Sequence, residues 1–349
     1  MSQLLQAFGK VAPVEFVSSW TAPSNIAFVK YWGKKGHQLP ANPSLSMSLK
    51  ECTTTTKTTF SPAEKLSVQL SLAGKPQAKF ALKIEQYLES LQSELPFLSQ
   101  LAVTIETTNT FPHGAGIASS ASGLSAFALT LTDYLRQQVP TLEGPEFFKV
   151  ASFLSRLASG SACRSVYGGF ASWGESELDL SNDLYATPLT VHRELVTLYD
   201  TVLVVSGQEK SVSSSAGHGR MNEHFFAQGR FAQAKHHFTL CAQALKTGEM
   251  EEVGRILEAE ALSLHAMMLT SPEAFTLFKP NTIAAIEAIW AFRKETKLPL
   301  YFTLDAGPNL HLIYPEADRN KIFTFITHEL KPMGEIIIDD RTGQGPFRC

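Results

Sequence analysis

Cysteine is scarce in this chain. Four occur among 349 residues, at positions 52, 163, 241 and 349, and none forms a Cys-x-x-Cys pair. That spacing argues against a zinc ribbon or a dithiol redox centre and leaves free thiols of a reducing cytosol as the simplest reading. An excess of one charge is missing too. The net charge of -3 gives no field that would draw a nucleic acid or an anionic membrane, so any basic site must be local. The first twenty residues carry Lys10 and Glu15 and never form an apolar secretory core, so a cytoplasmic protein is expected. One run, 114–132, is free of charge over a near membrane-spanning length. It opens with glycines and holds six Ser or Thr side chains, which suits a buried helix better than a bilayer span. The chain also lacks repeats, low-complexity tracts, a Gly/Ser linker, a Gly-x-Ser-x-Gly elbow and histidines at metal-ligand spacing. His236 and His237 are adjacent and so diverge on a helix.

What is present suits a folded globular protein: 44% hydrophobic and 18% charged residues, with length for about two domains. Periodicity predicts strands over 15–20, 46–51, 53–60, 66–71 and 101–107, helices over 78–91, 119–136 and 144–157, and a strand around 166–173. The second half reads as a strand over 195–206 and helices over 217–247, 250–268 and 281–294. A strand pair, 298–304 and 310–314, follows, then a helix over 317–330 and a strand over 335–338. Runs of strands and runs of helices, not a regular βαβ alternation, indicate α+β architecture. The softest composition, polar and acidic, lies at 174–182, and the expected division is 1–190 and 191–349.

Four segments carry chemistry. Phe111 to Gly123 places small residues between a strand and a helix, where unpaired backbone N–H groups and the positive helix end favour an anion. It is not a Walker loop, because no Lys follows, and it meets only half of a dinucleotide fingerprint; a tight turn before a buried helix is the alternative. Ala22 to Gly36 gathers Lys30, Lys34 and Lys35 with Tyr31 and Trp32, either to meet a polyanion or as a solvated basic turn. Ser159 to Phe170 sets hydroxyls around Arg164, a side chain suited to bidentate capture of phosphate or carboxylate, or to an ordinary surface ion pair. Asp305 stands between an apolar strand and a Gly-Pro turn, where it can take a substrate hydroxyl proton or cap the turn.

In combination and in order, these segments resemble the GHMP small-molecule kinases, and within them the mevalonate diphosphate decarboxylases. The resemblance rests on Ala22-Pro23-Ser24-Asn25-Ile26-Ala27 with Lys30-Tyr31-Trp32-Gly33-Lys34, on Leu39 to Ser46, Pro112 to Gly123, Ser159 to Ser165 and Val212-Ser213-Ser214. It continues through Leu264-His265-Ala266 and Phe302 to Asn309, so that it spans about residues 20 to 345.

The resemblance implies a GHMP-kinase fold: an N-terminal ATP-binding domain like ribosomal protein S5 (1–190), a ferredoxin-like C-terminal domain (191–349), and an active-site cleft between them. It implies ATP-dependent decarboxylation of mevalonate 5-diphosphate to isopentenyl diphosphate, with ATP as co-substrate, Mg2+, and a homodimer. By match of position, Asp305 is the catalytic acid-base and Lys30 assists phosphoryl transfer or the departing charge. Tyr31, Lys34, Ser159, Ser161, Arg164 and Ser214 match substrate-binding positions. Gly114, Ala115, Gly116, Ala118, Ser119 and Ser120 match the ATP loop, with Ser120 touching magnesium held mainly by phosphate oxygens. The chain departs from the pattern at His113-Gly114, where Thr-Ala is usual, and at Ser215, where some bacterial relatives have Arg. Helix 78–91 offers Lys79 and Lys83 where an arginine near the catalytic acid is expected. The alternatives are a phosphomevalonate decarboxylase, a mevalonate 3-kinase, and a non-catalytic sensor on the same fold.

Overall fold

The structure, a computed structural model, describes residues 3–36, 38–112, 117–178, 181–208 and 214–349, with the side chains of residues 3 and 214–216 outside that description. The first half is built on β1 (Phe16–Val29), β2 (Ser44–Pro62), β3 (Ser67–Leu72), β4 (Leu101–Asn109) and β5 (Phe170–Trp173). β1 and β4 flank β2 in antiparallel register, β3 runs parallel to β4, and β5 pairs with the start of β2. Helices α1 (Ala78–Glu89), α2 (Ser119–Gln138) and α3 (Gly144–Ala158) belong to the same half.

Helix α2 explains the charge-free run. It is buried from Ala121 through Leu135 apart from Gly123 and Leu124, and two of its hydroxyls bond the sheet. Ser122 Oγ meets Thr54 Oγ1 at 2.6 Å and Thr130 Oγ1 meets Thr58 Oγ1 at 2.8 Å. Small residues with satisfied hydroxyls let a helix approach a sheet closely, which a lipid-facing helix does not require. Among the described residues no helix is long and apolar enough to cross a membrane.

Strand prediction stops short where the backbone bends. The strand expected over 15–20 continues to Val29, and those expected over 46–51 and 53–60 are one strand of 19 residues. β1 and β2 lose register between Pro23 and Asn25, so 49–52 bulge away from β1. Their backbone donors are met from the other half of the chain: Asp340 accepts the N–H groups of Lys50, Glu51 and Cys52, each at 2.8 Å. A bulge that leaves ladder donors unpaired needs an acceptor, and a carboxylate supplies several at once.

The second half has an antiparallel sheet of four strands, ordered β7 (Tyr301–Thr303), β8 (Leu310–Pro315), β6 (Leu198–Val204), β9 (Ile336–Arg341). Its long helices are α4 (Ala227–Thr247), α5 (Met250–Leu269) and α6 (Pro280–Thr296). The helix expected over 217–247 divides into Ser214–Gly219 and α4. Between them the buried His224 ring accepts the Phe226 N–H at 3.1 Å and meets the Met267 carbonyl at 3.0 Å. The segment expected as strand over 166–173 begins as a tight 3-10 turn, Gly160–Val166, and only Phe170–Trp173 is extended. The helix expected over 317–330 narrows to Arg319–Phe325 and ends in a π turn.

One apolar cluster joins the halves: Phe28, Leu45 and Met47 of the first sheet, Val202 and Ile313 of the second, and Phe238 of α4. The last residues cross back to the first sheet, where Phe347 and Arg348 pair with Thr21 and Trp20. Cys52, Cys163 and Cys241 are buried free thiols and Cys349 is an exposed one.

Removing the Asp340 carboxylate strands three backbone donors at the bulge. Asp340→Ala is expected to lower unfolding free energy by about 3 kcal/mol or more, read as a fall in the denaturant midpoint; a change below about 0.5 kcal/mol, the surface-substitution range, would show that the bulge does not depend on this carboxylate.

Candidate active site

Lys30 follows the last residue of β1 and is held at every polar atom. Its backbone N–H donates to Glu260 Oε2 at 2.8 Å and its carbonyl accepts from Asn42 Nδ2 at 3.0 Å. The ammonium donates to the Ala27 carbonyl at 2.7 Å and to Asp305 Oδ1 at 2.9 Å. The lysine side chain is 2% exposed and the aspartate 28%, so a sequestered cation meets an acid that solvent and ligand can reach. Burial pulls the Lys30 ammonium below its ordinary range; Asp305 and Glu260 oppose that, and Arg164 adds to it.

Asp305 sits on the turn between β7 and β8, and that turn is fixed at several points. Its carbonyl accepts from Gly307 N at 2.7 Å and meets His265 Nε2 at 3.1 Å. Thr282 Oγ1 donates to the Pro308 carbonyl at 2.8 Å. Asn309 bonds the Ser206 backbone both ways, at 3.0 and 3.1 Å. The partner that the sequence sought for this acid on helix 78–91 is Lys30 instead, from the end of β1.

Arg164, in the 3-10 turn, is buried rather than the surface residue of an ordinary ion pair. Its Nε donates to Ser46 Oγ at 2.9 Å, one terminal nitrogen to Ser44 Oγ, and the other to Asn25 Oδ1 at 3.4 Å. These acceptors are neutral, so they orient the guanidinium without cancelling its charge. Burial lowers the Arg164 pKa, while Cys163 and Asp305 act to raise it. Two cations, Lys30 and Arg164, thus share the field of one half-open carboxylate.

Tyr31 packs its ring against Trp173 at 4.7 Å and His218 at 4.4 Å between centroids. Its buried hydroxyl has no hydrogen-bond partner among the described residues, and burial raises its pKa. Such a donor is costly unless a ligand completes it. Gly160 allows this placement: a Cβ there would stand 2.8 Å from the Tyr31 hydroxyl and 2.6 Å from Trp173. Ser161 is half-buried in the same turn, and its carbonyl accepts from Asn25 Nδ2 at 3.4 Å.

A cavity of about 320 Å³ is lined by Leu70, Leu72, Phe80 and Ile84 on the apolar side and by Lys34, Ser119, Ser120 and Ser159 among its polar groups. Lys83 also lines it, its ammonium 5.7 Å from the Phe80 ring centroid. Lys34 is half-buried, and burial lowers its pKa. Ser119 opens α2, preceded by Ala118 in left-handed conformation at φ 41°, and Ser24 Oγ anchors the Ile117 carbonyl at 2.7 Å. Gly114, Ala115 and Gly116 lie outside the described residues, as does the Ser214 side chain, although Ser214 begins the short helix that carries His218.

Sequence reasoning missed Glu260, His218 and Asn42. Glu260 had a signal: it falls on the apolar stripe Val253, Ile256, Leu257, Ala261, Leu264 of α5, where a lone acid implies buried partners. His218 had none, since its contacts come from the distant Tyr31-Trp32-Gly33.

Two family profiles match the chain. One is described as diphosphomevalonate decarboxylase-like N-terminal domain, over residues 22–186; the other as mevalonate 5-diphosphate decarboxylase C-terminal domain, over residues 201–343. The chain is 31% identical to diphosphomevalonate decarboxylase of Ganoderma lucidum, with 88% of this chain and 80% of that protein covered. It is 30% identical to the Saccharomyces cerevisiae enzyme of that name, with coverages of 89% and 81%. Among solved structures, mevalonate diphosphate decarboxylase from Staphylococcus aureus superposes with a TM-score of 0.84 at 29% identity, covering 96% of this chain and 98% of that one. A structure described as MDDEF in complex with MVAPP, AMPPCP and magnesium gives 0.83 at 29% identity, with coverages of 96% and 99%. The fold is therefore of the GHMP-kinase type, as the motif order implied.

The geometry predicts an acid-labile contact. His218 Nδ1 accepts the Gly33 N–H at 3.0 Å, its ring lies 4.7 Å from Trp32, and burial, with Lys34 nearby, pulls its pKa down to about 3. The unfolded chain binds this proton from about pH 6.5 downward while the folded chain does not, so the stability it contributes is full above pH 6.5 and is lost as pH falls toward 3. Between pH 6.5 and 5 the loss is about 2 kcal/mol. His218→Gln, which keeps an acceptor for Gly33, is expected to show a smaller drop in melting temperature over that interval; equal drops would mean that His218 does not set the acid limb.

Proposed function

Because the chain belongs to the diphosphomevalonate decarboxylase family, we infer that it converts mevalonate 5-diphosphate to isopentenyl diphosphate at the expense of ATP, releasing carbon dioxide, ADP and phosphate. The observation that carries the reading is the Lys30–Asp305 pair at 2.9 Å, in the same electrostatic neighbourhood as the buried Arg164.

The substrate's tertiary 3-hydroxyl is a poor leaving group and must become a phosphate ester before the carboxylate can expel it. In our reading Asp305 takes the hydroxyl proton as that oxygen attacks the γ-phosphorus and the bond to ADP breaks. The C–C bond to the carboxylate then breaks to release carbon dioxide, its electrons form the double bond, and the C3–O bond breaks with its electron pair carried off on the departing phosphate. Lys30 faces the charge that develops there. Arg164, Tyr31, Ser159 and Ser161, with Lys34 and Ser214, are assigned to the substrate's diphosphate and carboxylate. The neutrally held guanidinium and the unpartnered Tyr31 hydroxyl support that assignment.

The cavity suits ATP. Leu70, Leu72, Phe80 and Ile84 offer a dry wall for a base, and Ser119 and Ser120 stand where α2 presents its unpaired N–H groups. Ser120 lines the cavity at the start of α2, where its hydroxyl would serve magnesium carried mainly by the nucleotide's phosphates. When bound, the ion would neutralise phosphate charge.

Asp305→Asn is expected to keep ATP and substrate affinity but lose about a hundredfold or more in turnover; near-normal turnover would remove Asp305 from the chemistry. Substrate labelled with heavy oxygen at C3 is expected to deliver the label to inorganic phosphate. Label retained in the organic product would overturn the order of steps. Product analysis with the mono- and diphosphate and with free mevalonate separates this activity from that of a 3-kinase or a monophosphate decarboxylase.

A further inference from the structure

Glu260, on α5, lies outside the substrate-facing groups, yet it is fully buried and gathers partners from α4 and from the end of β1. Both terminal nitrogens of Arg230, on α4, donate to it, at 3.1 and 2.5 Å. His237 Nδ1, one helical stretch further along α4, lies 2.7 Å from Oε1. The remaining contact is the Lys30 main-chain N–H on Oε2 at 2.8 Å. Burial alone would raise the Glu260 pKa, but Arg230, the His237 hydrogen bond and the Lys30 amide hold it below its ordinary value, so the group is ionised.

We propose that Glu260 is a positioning residue for the reaction: by accepting the Lys30 main-chain N–H it fixes the strand end from which the Lys30 ammonium reaches Asp305, and it sets a second buried carboxylate beside that lysine. The proposal rests on the reading of Lys30 given above. Arg230 alone would pair this buried carboxylate; the Lys30 main-chain N–H on Oε2 ties the same group to the strand end that carries the ammonium. The link to Lys30 extends the pair to the reacting centre. Asp305, Glu260 and Asp200 face Lys30 as acids and Arg164 as a cation. Removing one acid from that set makes the ammonium easier to deprotonate, whereas a merely structural loss does not touch it.

The test compares Glu260→Gln and Glu260→Asp in kcat–pH profiles with saturating ATP, magnesium and mevalonate 5-diphosphate. Glu260→Gln is expected to lower kcat about tenfold or more with KM nearly unchanged, and to move the descending alkaline limb to lower pH. Glu260→Asp keeps the charge but draws it back from the Lys30 amide; it is expected to lower kcat while leaving the limb where it is. If the Gln variant fails to fold, the Asp variant decides alone: reduced kcat at constant KM supports the proposal, and full kcat overturns it. A folded Gln variant with the normal alkaline limb also overturns it. Lys30→Met separates the two readings, because turnover retained there refutes the role of Lys30 itself, while an inactive Lys30→Met beside unaffected Glu260 variants refutes only the role of Glu260.

Discussion

A lysine taken out of water must find its compensation inside the protein, and at Lys30 that compensation comes from elements far apart in sequence. The side chain is 2% exposed, and an unpaired buried ammonium would cost several kcal/mol or shed its proton. Ala27 and Asn42 belong to the first sheet and its loops, but Asp305 stands on a turn of the second sheet and Glu260 on α5. The lysine can therefore stay charged only while the halves hold one relative position. The shared cluster of Phe28, Leu45, Met47, Val202, Phe238 and Ile313 supplies that rigidity, and Asp340 adds a directional tie at the β2 bulge. Hydrophobic burial sets the distance between the sheets, and hydrogen bonds with strict geometry set the registration.

The electrostatic consequence is a site whose two cations are held in different ways. Lys30 has one carboxylate in contact and another at its backbone, while Arg164 is oriented by Ser44, Ser46 and Asn25, none of which carries charge. A guanidinium held by neutral acceptors keeps its attraction for an incoming anion and loses little conformational entropy on meeting it, because its fork is already set. Tyr31 follows the same logic: Trp173 and His218 fix its ring, Gly160 leaves room above it, and among the described residues its hydroxyl has no partner. Preorganised donors of this kind are stabilised by the fold and satisfied by a ligand.

Much of this was legible in the sequence wherever one segment determined its own outcome. The helical spacing after Ser119 identified α2, and the density of hydroxyls there correctly argued for a buried helix, since Ser122 and Thr130 bond the sheet and Ser125 and Thr132 bond carbonyls. Asp305 and the turn to Asn309 fell between the strands expected of them. The misreadings share a different cause. Local periodicity ended strands at Trp20 and Glu51, but the pairing across the sheet and the distant Asp340 carry the backbone through both. The single helix expected over 217–247 followed its periodicity, whereas the His224 ring contacts interrupt it. Glu260 and His218 serve residues some two hundred positions away, and no local pattern encodes such a partner.

On the proposed mechanism one pair of residues serves two steps with opposite needs. Phosphoryl transfer to the 3-hydroxyl wants a carboxylate that can hold a proton; elimination wants positive charge beside the departing phosphate and no base competing for it. The Lys30–Asp305 contact meets both demands in sequence. While Asp305 is ionised, it keeps the buried ammonium paired. Once Asp305 has taken the hydroxyl proton, its charge is gone and the ammonium, still anchored on the Ala27 carbonyl, faces the new phosphate ester with its field unopposed from that side. Proton uptake in the first step thus prepares the electrostatics of the second. The arrangement works only if Lys30 remains protonated when its partner is neutralised, and burial makes that hard. A second buried acid, held below its ordinary pKa by its own arginine and bonded to the lysine's main-chain N–H, is what such a site requires, and Glu260 is that acid.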